Sequence, residues 1–306
     1  MISSRSLGPR KPVGICLGLI ACLTGLCHAA DEPPTAPAAP AHRWGVIFQG
    51  LPGDPVHDRQ FRTVTSQLRS WLIESLEFPA DQVVSLPEVP AVEAEQVAPL
   101  TAAGIQTTLV NLAAKMQPED TLWVFTVGHG SHDGRRAWFH VAGRDPSDVD
   151  LADWLAELRC REQVLWLTHS SSGWLVKPLS RPGRIVIAAT AADDEPNETE
   201  FPHALLTVVR QPPATLARPG DEGLSVAALY AATVREVERR FQRDQRVPTE
   251  HAQLDDNGDG VGSETLVEPS SSPPTTGPLP RGDGDWARSV KIPDRRLVPP
   301  PAHTTP

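Results

Sequence analysis

Residues 164–174 read V-L-W-L-T-H-S-S-S-G-W. Four apolar or aromatic residues run into a hydroxyl-rich turn that closes on Gly173. Some forty residues earlier, 121–134 read T-L-W-V-F-T-V-G-H-G-S-H-D-G, a second apolar run ending in a histidine turn. Neither run alternates with polar residues. Short unbroken apolar runs bounded by turn residues are strands buried on both faces, as in a parallel sheet covered by helices.

Working outward, the same grammar repeats. R-W-G-V-I-F at 43–48 and Q-V-V-S-L at 82–86, the latter stopped by Pro87, read as strands. Q-V-L-W-L at 163–167 and R-I-V-I-A-A-T at 184–190 read the same way. Between them lie helical stretches. From Arg59 to Leu76, Phe61, Val64, Leu68, Trp71, Leu72 and Leu76 fall on one face at helical spacing. Further helices are expected at 103–116, 148–158 and 224–243. Strands of four to seven residues alternating with longer helices predict an α/β fold with a mostly parallel sheet and right-handed crossovers. No internal repeat is visible.

In open α/β sheets, sites form beyond the carboxyl ends of the strands. The strand at 122–127 delivers Gly128, His129 and Gly130 to that edge, and the strand at 164–167 delivers Thr168 to Gly173. Neighbouring strands would set His129 opposite Ser170, with the amides of Gly130 and Ser170 able to face a developing oxyanion.

These residues resemble the legumain- and caspase-like peptidases: an apolar strand ending in H-G, then about forty residues on an apolar strand ending in a nucleophile and S-G. I-V-I-A-A-T-A-A-D-D-E-P-N-E-T-E-F (185–201), and the helix before R-V-P-T-E-H-A-Q-L-D-D-N-G-D-G (246–260), also look like bacterial members. The resemblance spans Trp44 to Gly262. It implies a caspase-like three-layer α/β/α sandwich, His129 as the family histidine and Gly130 as the oxyanion glycine.

The chain departs from the family at the nucleophile. Ser170 stands where the catalytic cysteine belongs, and Thr168 where an acidic residue often precedes it. A thiol is readily lowered to thiolate, whereas a hydroxyl needs a base in firm contact during attack. The leading expectation is therefore a peptidase homologue that has lost catalysis and keeps a peptide-binding cleft. A hydrolase using Ser170 as nucleophile and His129 as base is the second reading. An extracytoplasmic interaction domain acting through its tails is the third. An α/β-hydrolase elbow is excluded, because neither Ser170 nor Ser172 has glycines two residues before and after. Cys160 precedes the strand ending at Leu167, a strand that alone separates the two ends by ~20 Å at ~3.3 Å per residue, and is expected to be a packing residue.

Trp174, after the Ser-Gly turn, and Thr190, at the end of its strand, are candidate substrate-binding residues. Arg59 is the candidate for the basic residue that sets an acidic specificity in the family; no motif fixes its position. His132 and Asp133 either orient His129 or shape a solvated turn ending at Gly134. His169 is expected to pack on the side away from Ser170. The acidic loop Asp193, Asp194, Glu195, Glu198 and Glu200 either favours basic peptides or is simply solvated. N-E-T at Asn197 is a formal glycosylation sequon.

No cofactor is expected and no metal is assigned. Asp255, Asn257 and Asp259 occupy the first, third and fifth positions of a calcium loop, but position twelve is Leu266 instead of the bidentate glutamate. An Asx-rich turn is the preferred reading. The histidines lack zinc spacing.

The formal net charge of -10 offers no basic stripe for nucleic acid and no polybasic membrane patch. The expected partner is a peptide or protein segment in the cleft; oligomeric state is left open. At the N-terminus, Arg5, Arg10 and Lys11 precede P-V-G-I-C-L-G-L-I-A-C-L-T-G-L-C and then small residues, a secretory pattern with cleavage expected after Ala29. L-I-A-C also permits a lipoprotein acylated at Cys22. Three of the four cysteines fall in this segment, which leaves Cys160 alone after cleavage. The expected organisation is a signal at 1–29, a Pro/Ala linker at 30–41, a peptidase-like domain at 42–264 and a Pro/Ser/Thr-rich disordered tail at 265–306. Within that tail, D-W-A-R-S-V-K-I is expected to return as an edge strand.

Overall fold

A computed structural model describes residues 41–88, 97–193, 195–217, 223–266 and 282–292. The expected signal, residues 30–40 of the expected linker, Asp194, and residues 267–281 and 293–306 of the expected disordered tail lie outside these residues. Eight strands are present among the described residues: β1 (Arg43–Gln49), β2 (Val83–Leu86), β3 (Thr121–Val127), β4 (Gly130–His132), β5 (Ala137–Phe139), β6 (Glu162–Leu167), β7 (Arg184–Ala188) and β8 (Gln253–Asp255). The α-helices are α1 (Pro55–Ser70), α2 (Ala102–Ala113), α3 (Asp148–Ala156), α4 (Val176–Leu179), α5 (Phe201–Val209), α6 (Pro213–Leu216), α7 (Val226–Arg243) and α8 (Asp285–Ser289).

Six strands form one sheet in the order β2-β1-β3-β6-β7-β8, parallel except for β8. The centre of this sheet is dry on both sides, which is why β3 and β6 read as unbroken apolar runs. One face carries Ile47, Trp123, Phe125, Trp166, Ile185 and Ile187 against α1, α5 and α7. The other carries Val46, Val124, Leu165 and Val186 against α2, α3 and α4. This is the three-layer α/β/α sandwich expected from the sequence. At its centre the Trp166 indole stacks on Phe125, ring centroids 6.2 Å apart and planes 7° from parallel.

The apolar face read for the first helix is buried throughout. After α1 the chain loosens into a π-turn at Trp71–Ser75, which keeps both Trp71 and Leu72 in the core. Asp54 starts α1: its carboxylate accepts from the amides of Val56 and His57 at 2.7 and 3.0 Å.

Two expectations are corrected at the C-terminal end. D-W-A-R-S-V-K-I is not an edge strand. Its first five residues form α8, whose first turn is held by Asp256, accepting from the Gly284 and Ala287 amides at 2.9 and 2.7 Å, and Val290–Ile292 then meets Leu224–Val226 in an isolated antiparallel bridge. Ala287, Val290 and Ile292 are buried in the first core face, so packed structure extends well past residue 264. The antiparallel β8 and the β4–β5 hairpin carry no sequence signal strong enough to read: each strand has three residues.

Candidate functional site

Pairing of β3 with β6, Thr126 opposite Leu167, brings the two polar turns together at the carboxyl edge, as read from the sequence. The topology places the crevice more narrowly. From β1 the chain leaves to α1 on one face. From β3 it leaves through the β4–β5 hairpin and α3 toward the other. The switch point lies between β1 and β3, and His129 stands there beside Pro52.

Ser170 is 3 % exposed. Its hydroxyl donates to the carbonyl of Gly130 at 3.0 Å and accepts from the Gly130 amide at 3.1 Å. The expected oxyanion amide is thus occupied by the expected nucleophile. His129 turns elsewhere: its Nε2 faces the Pro52 carbonyl at 3.3 Å, so that nitrogen carries the proton. Its ring meets Phe61 and His57 edge-on at 5.1 and 5.0 Å. The structure brings His129, Gly130 and Ser170 to one edge but forms no hydrogen bond between Ser170 and His129. Burial and the neighbouring His57 hold His129 below the ordinary histidine range.

Gly130 must be glycine. An added Cβ would lie 2.5 Å from His169 Nδ1 and 2.6 Å from the Ser170 carbonyl oxygen. His169 packs as expected, fully buried against Phe139 at 5.0 Å, with Nδ1 donating to the Ser170 carbonyl at 2.9 Å. Burial pulls its pKa down to about 4, so it is neutral at physiological pH. Ser171 sits in the left-handed region at φ 58°, which lets the turn reverse before Ser172 and Gly173.

Two of the three candidate substrate-binding residues are corrected. Thr190 is fully buried, and its hydroxyl accepts from the Gly173 amide at 3.0 Å; it braces the turn and meets no solvent. Arg59 is exposed on α1 and offset by about 200° around the helix from His57 and Phe61, at ~100° per residue. It points away from the crevice. Trp174 is half-buried and does lie at the surface of the site. It stacks on His132, centroids 4.7 Å apart, and its indole donates to the Asp193 carbonyl at 3.1 Å.

Asp133 shapes the hairpin turn, accepting from the Arg135 and Arg136 amides. Asp255, Asn257 and Asp259 form the Asx turn: Asp255 accepts from Gly258 and Gly260, Asn257 from Asp259, and Asp259 from Val261. Glu195 is buried and accepts from the Ala191 and His251 amides, so part of the acidic loop is internal scaffolding. Cys160 lies at the amino edge, half-buried, with burial pushing its thiol up.

Sequence reasoning missed His57. Its Nδ1 bonds Asp54 at 2.5 Å and its Nε2 bonds Glu198 at 2.9 Å, tying the start of α1 to the 191–200 loop. Two carboxylates on opposite nitrogens require an imidazolium, and those hydrogen bonds, Glu198 first, raise its pKa. The available signal was the helix start D-P-V-H directly after a strand. His57→Gln is expected to speed amide exchange across 195–200 several-fold near neutral pH. In the native protein the same speeding should appear as pH rises through the raised His57 pKa, because the bridge exists only while the ring is charged. Equal exchange in both proteins at every pH would remove the bridge.

No protein-family model matches the chain, and none of the curated proteins does. Among solved structures, the crystal structure of drICE aligns with a TM-score of 0.40 at 10% identity, over 66% of this chain and 85% of that chain. The sandwich is established by the strand order and the two covered faces, without that likeness.

Proposed function

We propose that the chain is a caspase- or legumain-like peptidase homologue that lacks catalysis and binds a peptide or protein segment at the carboxyl edge of its sheet. One observation carries this reading: the Ser170 hydroxyl is committed to both polar groups of the Gly130 backbone, while His129 faces Pro52. A serine nucleophile needs its base in hydrogen-bond contact and an empty oxyanion site. Here the base points away and the amide is filled. The surface left for a ligand consists of half-buried His129, Ser131, His132 and Trp174. Export on the N-terminal signal is part of the same reading and places the domain outside the cytoplasm.

The test is a diverse peptide pool incubated with the native protein, Ser170→Ala and Ser170→Cys, with cleavage and binding followed separately. Native protein and Ser170→Ala are expected to cleave nothing and to bind the same peptides. Cleavage by the native protein that vanishes in Ser170→Ala overturns the proposal in favour of a serine hydrolase. Absence of any binding overturns the cleft. Cleavage confined to Ser170→Cys supports it, since only the nucleophile then separates the site from an active one.

A further inference from the structure

At the opposite end of the strands, a cavity of about 450 Å³ opens between the beginnings of β1, β3 and β6 and the C-terminal helix α8. Its size suits a small organic ligand. Phe78, Trp123 and Val290 give it apolar walls, and Trp286 stands beside it, 39% exposed. Glu162 is its only acidic lining residue among the described residues.

Glu162 is 8% exposed, on the sheet face that also carries Trp123 and Val164. Among the described residues, no hydrogen-bond donor and no ion-pair cation reaches its carboxylate. That sets it apart from the other buried acids. Asp120 accepts from the amides of His42 and Gln117 and from the Trp44 indole. Asp256 caps α8, and Glu195 holds two amides. Burial pushes the Glu162 carboxyl up, opposed by Arg161. A mostly buried carboxylate that keeps only part of its hydration and has no protein partner is disfavoured as an anion, and a ligand cation offsets that cost.

Arg43 does not supply it. Its guanidinium lies over the Phe78 ring and donates to the carbonyls of Leu76 and Glu77, each at 2.6 Å. Arg161 and Lys291, both exposed, line the same cavity and have no ion-pair partner among the described residues. The cavity is therefore negative at one buried point, aromatic along its walls, and positive at its exposed residues.

We infer that this cavity binds a small zwitterion of the α-amino-acid class with an apolar side chain. The ammonium group pairs with Glu162, within reach of the aromatic walls that also favour a cation. The side chain lies against Phe78 and Trp123. The ligand carboxylate faces Arg161 and Lys291. This inference does not depend on the Ser170 edge, which lies about 20 Å away along β6 at ~3.3 Å per residue.

The experiment is calorimetric titration of the full chain with phenylalanine, N-acetylphenylalanine and phenylalaninamide. Phenylalanine is expected to bind. N-acetylphenylalanine, which has no ammonium, and phenylalaninamide, which has no carboxylate, should each bind at least tenfold more weakly. Glu162→Gln should lose at least tenfold in affinity for phenylalanine, and Lys291→Ala, a change at an exposed side chain, should lose several-fold. Melting temperatures no lower than native in both variants assign these losses to the site. No binding of phenylalanine to the native protein overturns the inference. So does binding that Glu162→Gln leaves intact, and so does equal affinity for phenylalaninamide.

Discussion

Gly173→Ala is expected to lower stability by more than about 3 kcal/mol, among the largest effects of any single methyl added to this chain. The new Cβ would lie 2.2 Å from the carbonyl carbon of Ala191 and 2.4 Å from the carbonyl oxygens of Ala191 and Thr190. All three are backbone atoms leaving β7, so no side chain can swing aside. The Gly173 amide is pinned by Thr190 from the same direction. Relief therefore requires the Ser170–Gly173 turn to part from β7, which exposes core. Gly104→Ala in α2 is the control: its Cβ would meet nothing closer than 3.4 Å, and alanine favours a helix. Urea unfolding of the two variants should move in opposite directions. A Gly173→Ala protein within about 1 kcal/mol of native would mean the turn is not packed against β7 as described.

Glu250→Gln is expected to remove much of the pH dependence of stability between about pH 5 and 9. Glu250 is buried beside Glu200 and Glu195, and one carboxylate oxygen has only the Glu200 amide, at 2.8 Å. Its other oxygen is buried with no partner. Burial, with repulsion from Glu200 and Glu195, lifts its pKa to about 8 from an ordinary 4.5. The folded protein thus holds this proton more tightly than the unfolded chain. That contribution is complete below the ordinary carboxyl range and is lost as pH rises through about 8, on the order of 5 kcal/mol in all. Glutamine keeps an acceptor for the Glu200 amide and has no proton to lose. The native melting temperature should fall from pH 5 to pH 9 more steeply than that of Glu250→Gln, and the variant should be the more stable at pH 9. Parallel melting curves would mean that Glu250 titrates normally.

Burial was legible in the sequence because it leaves a local pattern. The apolar runs at 122–127 and 164–167 can only be strands covered on both faces, and the stripe from Phe61 to Leu76 can only be one buried helical face. From those runs the α/β class, the parallel sheet and the edge that carries His129, Gly130 and Ser170 all follow. Hydrogen-bond direction leaves no such pattern. Whether Ser170 faces His129 or the backbone of Gly130 depends on two turns forty residues apart meeting within an ångström. Thr190 and Arg59 failed as ligand contacts for the same reason: a threonine ending a strand and an arginine on a helix do not reveal which way the tertiary packing turns them. His57 escaped notice because its partners, Asp54 and Glu198, are separated by most of the sheet. The unpaired Glu162 looks in sequence like any charged residue opening a strand, and only α8 folding back beside it encloses it. The sequence alone determined what must be buried and which edge carries polar turns. The fold alone decided what each polar group touches, because a hydrogen bond is set by position to fractions of an ångström while burial is set by the side chain itself.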